Sequence, residues 1–406
     1  MREKESLEGV VESMEVRVRR GDTLWQYSQL FSIPLVLIMD SNPGVETGSL
    51  QVGQAVQIPG FTTITRTIQP GDTFWGLANA YRLNVDALLL LNPNVNPSQL
   101  QVGQRVRIPI RVTWFVVNGR EPYDFQAMTD DLNELLAIYP FMRRRDAGRS
   151  VLGLPLHDVR IGTGGRKVQV NASFHANEWI TTPILMRFLN EYLLSLTNNT
   201  PIKGVATLPV YGLTELSAVP MVNPDGVNLV LNGPPTEREE EVVALNRGSR
   251  DFSGWKANIN GVDLNKQFPA NWEFEAGRKP TEPGPRDYPG EAPLTEPETQ
   301  AMADLVRDES FDRLVALHTQ GREFYWGYEG LEPPESQVLA ERFARVSGYE
   351  AIRYVDSHSG YKDWFIQEFR RPGFTIELGE GQNPLPIEQF DEIYEAASGI
   401  LISSLI

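Results

Sequence analysis

Residues 21–59 recur fifty positions further along the chain. GDTLWQYSQLF from Gly21, Asn42-Pro43, and LQVGQAVQIP ending at Pro59 match GDTFWGLANAY from Gly71, Asn92-Pro93, and LQVGQRVRIP ending at Pro109, with 15 of 39 positions identical. Such a repeat is a tandem duplication, so one small unit is built twice. Each copy reads as strand, helix, helix, strand. Val16–Val18 and Thr65–Ile68 alternate as opening strands. Gly21-Asp22 and Gly71-Asp72 mark turns, with Asp22 or Thr23 placed to cap the first helix. The Asn-Pro pairs end the second helix, because proline disfavours helix in the residue before it. Val-Gly-Gln-x-Val-x-Ile-Pro closes each unit as a short strand.

The GDTLW opening, the central Asn-Pro and the LQVGQxVxIP ending, each present twice, resemble the LysM module. The expected boundaries are 15–60 and 64–110. The resemblance implies binding to glycans containing N-acetylglucosamine, in peptidoglycan or chitin. It places sugar contacts along Gly21, Asp22, Thr23 and Asn42 in the first copy, and Gly71, Asp72, Thr73 and Asn92 in the second. Trp25, Trp75, Leu50 and Leu100 are expected to hold the small fold together.

Composition excludes several classes. Among 406 residues there is no cysteine, which removes disulfides, thiolate metal sites and thiol nucleophiles. The net charge of −16 disfavours nucleic acid and anionic membrane surfaces as partners. That charge is uneven: residues 1–110 carry 9 basic and 10 acidic side chains, the remainder 28 and 43. No run of about 18 apolar residues is present to span a membrane. The first twenty residues are charged throughout and do not read as a secretory leader.

From residue 111 to 406 the periodicity changes. Asp124–Tyr139 has helical spacing, and strands and helices then interleave: strands over Lys167–Phe174, Leu216–Val222, Arg313–Leu317 and Gly373–Leu378, helices over Ile180–Leu196, Glu296–Glu309, Glu335–Val346, Gly360–Arg371 and Pro386–Leu405. The pattern predicts one α/β domain around a largely buried sheet, with long loops at 223–295 walling a site.

Four histidines limit the chemistry: His157, His175, His318 and His358. His175 ends an apolar strand and Glu178 follows at i+3, so on a helical turn both side chains face one way and can share a metal. His318 ends another apolar strand, RLVALH. Glu377 is an acid on an otherwise apolar strand, a costly placement outside a functional site. His157 reads as structural.

FHANEW (174–179), VNPDGVN (222–228), WKANINGVDLNKQFP (255–269), ALHTQG (316–321) and TIELGE (375–380) occur in the order that resembles the zinc metallocarboxypeptidase family. The resemblance implies a mixed central sheet flanked by helices. It implies one Zn²⁺ held by His175, Glu178 and His318, Glu377 as general base, and Lys256 beside the developing oxyanion. Asn265, Lys266, His358 and Asn177 are the expected substrate contacts. The family's motif has Asn-Arg where this chain has Asn265-Lys266, and lysine is a less geometric clamp for a terminal carboxylate. The family's loop tyrosine has no clear match; Tyr354, His358 and Tyr361 are candidates, His358 the preferred one.

A peptidase joined to two glycan-binding modules implies a substrate with both sugar and peptide, namely peptidoglycan, and tethering raises the local concentration of stem peptide. The WKAN…VDLNxQFP variant resembles the γ-D-glutamyl–meso-diaminopimelate peptidases, which cut the bond between D-Glu(γ) and the diamino acid. The acidity outside the repeats suits the free amines of such a substrate. The alternatives are a general zinc carboxypeptidase anchored to the wall and a non-catalytic wall-binding protein. A wall- or spore-associated location in a bacterium and a cytoplasmic one are both open, as are the diamino acid accepted and the oligomeric state.

Overall fold

The computed structural model describes residues 13–46 and 48–406. Most of the segment read as lacking a leader, residues 1–12, lies outside the described residues. The chain divides into two compact units: residues up to Val116 with Asp131–Arg143 and Glu191–Thr200, and Val117–Asp130 with Arg144–Asn190 and Pro201–Ile406. The expected division at residue 111 falls close to the end of the first long stretch, but two later segments group with the first unit.

In the first unit each repeat is a βααβ block. β1 (Glu15–Arg17) pairs antiparallel with β2 (Ala55–Gln57), and helices Leu24–Phe31 and Leu35–Asp40 lie between them in sequence. β3 (Phe61–Thr67) pairs antiparallel with β4 (Arg105–Arg111), around helices Phe74–Ala80 and Val85–Leu91. Thr23 and Thr73, not the neighbouring aspartates, cap the first helices, each hydroxyl accepting a backbone N–H three residues on. Asp22 and Asp72 instead brace the turn: Asp22 accepts from Arg19 N and from the Tyr27 hydroxyl at 2.7 Å, and Asp72 accepts from Gln69 N. Arg19 also reaches the second repeat, with both Asp86 oxygens at 2.7 and 2.8 Å.

Asn42 and Asn92 are buried and spent within the blocks. Nδ2 of Asn42 donates to Ile38 O and Gln57 O, and its Oδ1 accepts from Gln57 N. Asn92 repeats the pattern with Leu88 O, Arg107 O and Arg107 N. Each asparagine therefore pins the end of its second helix to the closing strand, and its side chain is taken up there rather than offered to a sugar. The tryptophans differ from expectation. Trp25 and Trp75 are 60% and 71% exposed. The inward stripe is Leu24, Tyr27 and Phe31 in one copy and Phe74, Leu77 and Ala78 in the other, which turns the tryptophans outward. Leu50 and Leu100 are partly buried, and Leu100 packs on the second core.

The second unit is built on an eight-stranded mixed sheet. Its strands are β5 (Arg143–Arg149), β6 (Pro155–Ile161), β7 (Arg166–Asn171), β8 (Thr214–Val219), β9 (Arg313–His318), β10 (Glu323–Tyr325), β11 (Glu350–Ile352) and β12 (Gly373–Glu377), in the order β11-β10-β12-β9-β7-β8-β6-β5. The central strands β8, β7, β9 and β12 are parallel, and β6 and β10 run antiparallel to their inner neighbours. After β7 the chain crosses through helix Thr181–Asn198 to β8 on one side; it later returns to β9 on the other. Open parallel sheets bind ligands where the strand order reverses in this way, outside the carboxyl ends of the strands. Against the sheet lies a core that includes Phe174, Leu264, Phe268, Tyr361 and Trp364.

The expected elements around the sheet centre are present with ends shifted by a few residues. The stretch 223–295 is not simply loop. It contains helices Pro224–Asn232, Glu239–Leu245 and Trp272–Ala276, the first capped by the Asn223 side chain with Pro224 in its first turn. No helix of the described residues is long and apolar enough to cross a membrane.

The repeat geometry predicts an inversion of the usual ranking of side chains. Asn92→Ala should destabilise the protein by about 2–3 kcal/mol, because Arg107 N loses its side-chain acceptor and the Leu88 and Arg107 carbonyls each lose a side-chain donor. Trp75→Ala should cost less than about 1 kcal/mol. Denaturant unfolding of both variants checks this; a larger loss for the tryptophan would refute the assignment.

Candidate active site

Three side chains converge at the strand-order reversal. His175 and Glu178 come from the short turn after β7, where Ala176–Glu178 forms one 3₁₀ turn, and His318 is the last residue of β9. His175 Nδ1 lies 2.8 Å from Glu178 Oε1, His318 Nδ1 lies 3.0 Å from Glu178 Oε2, and the two Nδ1 atoms are 3.1 Å apart. All three residues are buried. Two imidazole nitrogens and a carboxylate within 4.8 Å of one another make a donor set that could hold a metal ion.

Asp263 gives the set its orientation. Its Oδ1 accepts from His175 Nε2 at 3.2 Å, which leaves the Nδ1 lone pair free to face a metal. Its Oδ2 lies 3.1 Å from Lys256 Nζ, and Asp287 stands 3.6 Å from the same ammonium. Burial alone would raise Asp263, but Lys256 and His175 hold it well below the ordinary carboxylate range. Burial would likewise raise Glu178, and the two histidines outweigh it and hold it down. Lys256 is lowered by burial yet raised overall by Asp263, Glu178 and Asp287, so it stays cationic. Asp263 was not among the expected site residues. Its signal was present in the sequence: an acid between Val262 and Leu264 in a segment otherwise destined for the core.

Glu377 ends β12 and is the register neighbour of His318 across the parallel pair β12–β9, which puts both side chains on one sheet face. It keeps some solvent access, as a group that meets substrate must. Burial first, and then repulsion from Glu178, push its carboxyl up to about 8.

The other expected substrate contacts divide. Asn177 is buried in the turn that carries His175 and Glu178, and its Oδ1 has no hydrogen-bond partner among the described residues. Asn265 Oδ1 accepts from Tyr361 N at 2.9 Å and so holds the start of helix Tyr361–Phe369. Lys266 is buried, and its ammonium is engaged by Glu275 Oε1 at 2.6 Å, Ser357 Oγ at 2.7 Å and His358 O at 3.3 Å. It ties helix Trp272–Ala276 to the 355–360 loop and is not a free cation, so the ammonium expected as a substrate contact is already engaged within the protein. A buried ammonium needs such a partner, because an unpaired charge is too costly. His358 sits between Tyr328, whose hydroxyl is 3.1 Å from Nδ1, and the edge of Phe274. Of the tyrosine candidates, Tyr361 is in the core and Tyr354 is exposed, donating to Glu332 at 3.0 Å. His157 is buried against Phe125 and paired with Asp146 at 3.0 Å, as a structural residue would be.

A mixed sheet with a His₂Glu donor set at the carboxyl ends of its parallel strands, and an isolated acid beside it, defines a metallopeptidase of the carboxypeptidase fold. The family described as zinc carboxypeptidase matches residues 128–398, and the LysM domain matches 16–59 and 67–109. The chain is 61% identical over 394 residues to gamma-D-glutamyl-L-diamino acid endopeptidase 1 of Lysinibacillus sphaericus, covering 97% of this chain and 100% of that one. Human carboxypeptidase B is 22% identical over 57% of this chain and 56% of its own. Among solved structures, bovine thrombin-activatable fibrinolysis inhibitor in complex with tick carboxypeptidase inhibitor shares the fold, with a TM-score of 0.56, 16% identity, and coverage of 71% of this chain and 97% of that chain. The chain belongs to the zinc carboxypeptidase family, is a zinc-dependent peptidase, and carries two LysM domains.

Asp263 sets the tautomer and the charge of the His175 ligand. Asp263→Asn should therefore weaken metal affinity by about 10- to 100-fold. Competition with a chromogenic chelator measures it, and unchanged affinity would exclude the orienting role.

Proposed function

We propose that this protein hydrolyses cell-wall stem peptides at the bond between the γ-carboxyl of D-glutamate and a diamino acid, meso-diaminopimelate foremost. The observation that carries the reading is the near full-length alignment with the endopeptidase of that specificity. The complete donor set supports it, with Glu377 in register beside His318. His175, Glu178 and His318 would hold a single zinc ion. Bound there, zinc supplies Lewis-acid polarisation of the scissile carbonyl. Glu377 takes the proton of the attacking water and passes it to the leaving amine. Lys256 offers fixed positive charge to the developing oxyanion, and Asp263 keeps it in place.

The LysM domains would bind the glycan strand. With Asn42 and Asn92 buried, Asp22 and Asp72 bracing their turns, and the Thr23 and Thr73 hydroxyls capping helices, the exposed backbone at Gly21 and Gly71 and the exposed faces of the two threonines remain as sugar-facing candidates. Attachment to glycan raises the local concentration of stem peptide without new contacts at the active site, and it supports a location at the bacterial wall or spore envelope. A general carboxypeptidase is disfavoured because Lys266, the residue in the clamp position, is committed to Glu275. A purely binding role is disfavoured because metal ligands and base are all present.

Mass spectrometry of muropeptide digests tests the reading. The zinc-loaded protein should release a free diamino-acid amine from L-Ala-γ-D-Glu-diaminopimelate, and Glu377→Gln should slow this by about 10²- to 10⁴-fold. An intact peptide after prolonged incubation with the zinc-loaded wild type sinks the proposal.

A further inference from the structure

The sheet register that aligns Glu377 with His318 continues outward. On its other side β12 pairs antiparallel with β10, and the residue opposite Glu377 is Glu323. His318, Glu377 and Glu323 therefore form a row across three adjacent strands, with side chains on the same face. Tyr325, two residues along β10, shares that face, and its hydroxyl donates to Glu323 Oε1. Both Glu323 and Tyr325 are partly accessible to solvent.

Like charges directly opposite each other on paired strands are destabilising. In the ionised form in which Glu377 accepts a proton, the carboxylate facing it therefore calls for a compensating cation. The chain supplies none to Glu323: among the described residues it has no ion pair, and its hydrogen bond from Tyr325 leaves Oε2 open. Lys256 is held by Asp263 and Asp287. Arg322, the adjacent residue, is directed to Glu392 at 2.8 Å. A cation brought by the substrate fits the vacancy in charge.

We propose that Glu323 and Tyr325 form the specificity site for the second amine of the diamino acid on the leaving side of the scissile bond. The ammonium would donate to Glu323 Oε2 and to the Tyr325 hydroxyl oxygen, while that hydroxyl continues to donate to Oε1. The assignment rests on the substrate reading above and adds to it the group that makes a diamino acid, rather than a neutral one, the preferred residue. An uncharged side chain would leave Glu323 without a partner beside Glu377, and a site built for a hydrogen-bonding group rejects the analogue lacking it.

The test compares kcat/KM of the zinc-loaded full chain for L-Ala-γ-D-Glu-L-Lys and for the same peptide with norleucine in place of lysine. The wild type should favour lysine by about 10- to 100-fold, the range of one hydrogen bond to a charged group. Glu323→Gln, which keeps the acceptor for Tyr325, should bring the ratio close to one, and Tyr325→Phe should reduce it partway. Zinc content by elemental analysis should match the wild type in both variants. Equal cleavage of the two peptides by the wild type overturns the assignment and leaves the substrate reading standing. So does a fall of both rates in Glu323→Gln with an unchanged ratio. Cleavage of neither peptide by the wild type sinks the substrate reading itself, and this assignment with it.

Discussion

The buried carboxylate of Asp263 is the interaction on which the catalytic unit depends. One oxygen fixes the tautomer of His175, and the other lies against the ammonium of Lys256. A candidate metal ligand and the positive charge beside it are thus referred to a single fixed point. The arrangement also resolves an electrostatic conflict. An unpaired buried carboxylate or ammonium is expensive, whereas here each offsets the other and the histidine takes up the remaining acceptor. The carboxylate in turn arrives by backbone placement, in the short turn Leu264–Lys266 that it caps by accepting from Asn265 N.

Much of the fold and the metal set was legible because the relevant residues lie on regular elements. β9 and β12 are largely buried and read as mostly apolar runs, so their polar ends, His318 and Glu377, stand out, and His175 follows the buried stretch just beyond β7. Edge strands carried no such signal. β5 reads RRRDAGR and is largely exposed, the composition that protects an edge from pairing with another chain. β10 and β11 are three residues long, too short for alternation to register. The roles of Lys266 and Asn42 were misread for a common reason: a motif position says that a residue matters, not which neighbour it satisfies. Lys266 meets Glu275, nine residues away, and Asn42 meets Gln57, fifteen away. Glu275 lies outside the motif that drew attention to Lys266, and Gln57 holds a variable position of the repeat's closing motif and meets Asn42 through its backbone, which side-chain identity does not advertise. The tryptophans fail differently. Trp25 and Trp75 stand next to the inward residues Leu24 and Phe74, and a one-residue phase error on a helix turns a side chain through about 100°.

The two LysM repeats keep the same internal contacts although most of their aligned positions differ. The threonine caps, the aspartate-braced turns and the asparagine pins all recur at the fifty-residue offset. What differs is the surroundings: Asp22 engages Tyr27 and Arg19, whereas Asp72 relies on Arg66 from the preceding strand. The Arg19–Asp86 pair ties the copies together at a site with no counterpart in the repeat pattern. Exposed ion pairs contribute little individually, but a bidentate guanidinium shared between two aspartates adds a geometric constraint on how the blocks meet.

Charge acquires a local meaning in the catalytic unit. An excess of acidic residues over a whole domain bears on solubility and on which partners are repelled, and says little about mechanism. The row His318, Glu377, Glu323 is different, because sheet register rather than composition brings those charges together. A metal held by His175, Glu178 and His318 would offset Glu178 on one side of the row, and Lys256 moderates Glu377 electrostatically. Glu323, at the outer end of the row, has the Tyr325 hydroxyl as its side-chain partner among the described residues. Since the sheet fixes these positions before any substrate arrives, the remaining negative charge is preorganised, and binding a cation there requires no rearrangement of the base. Selectivity for the leaving residue and proton transfer at the scissile bond would then be properties of one pair of hydrogen-bonded strands.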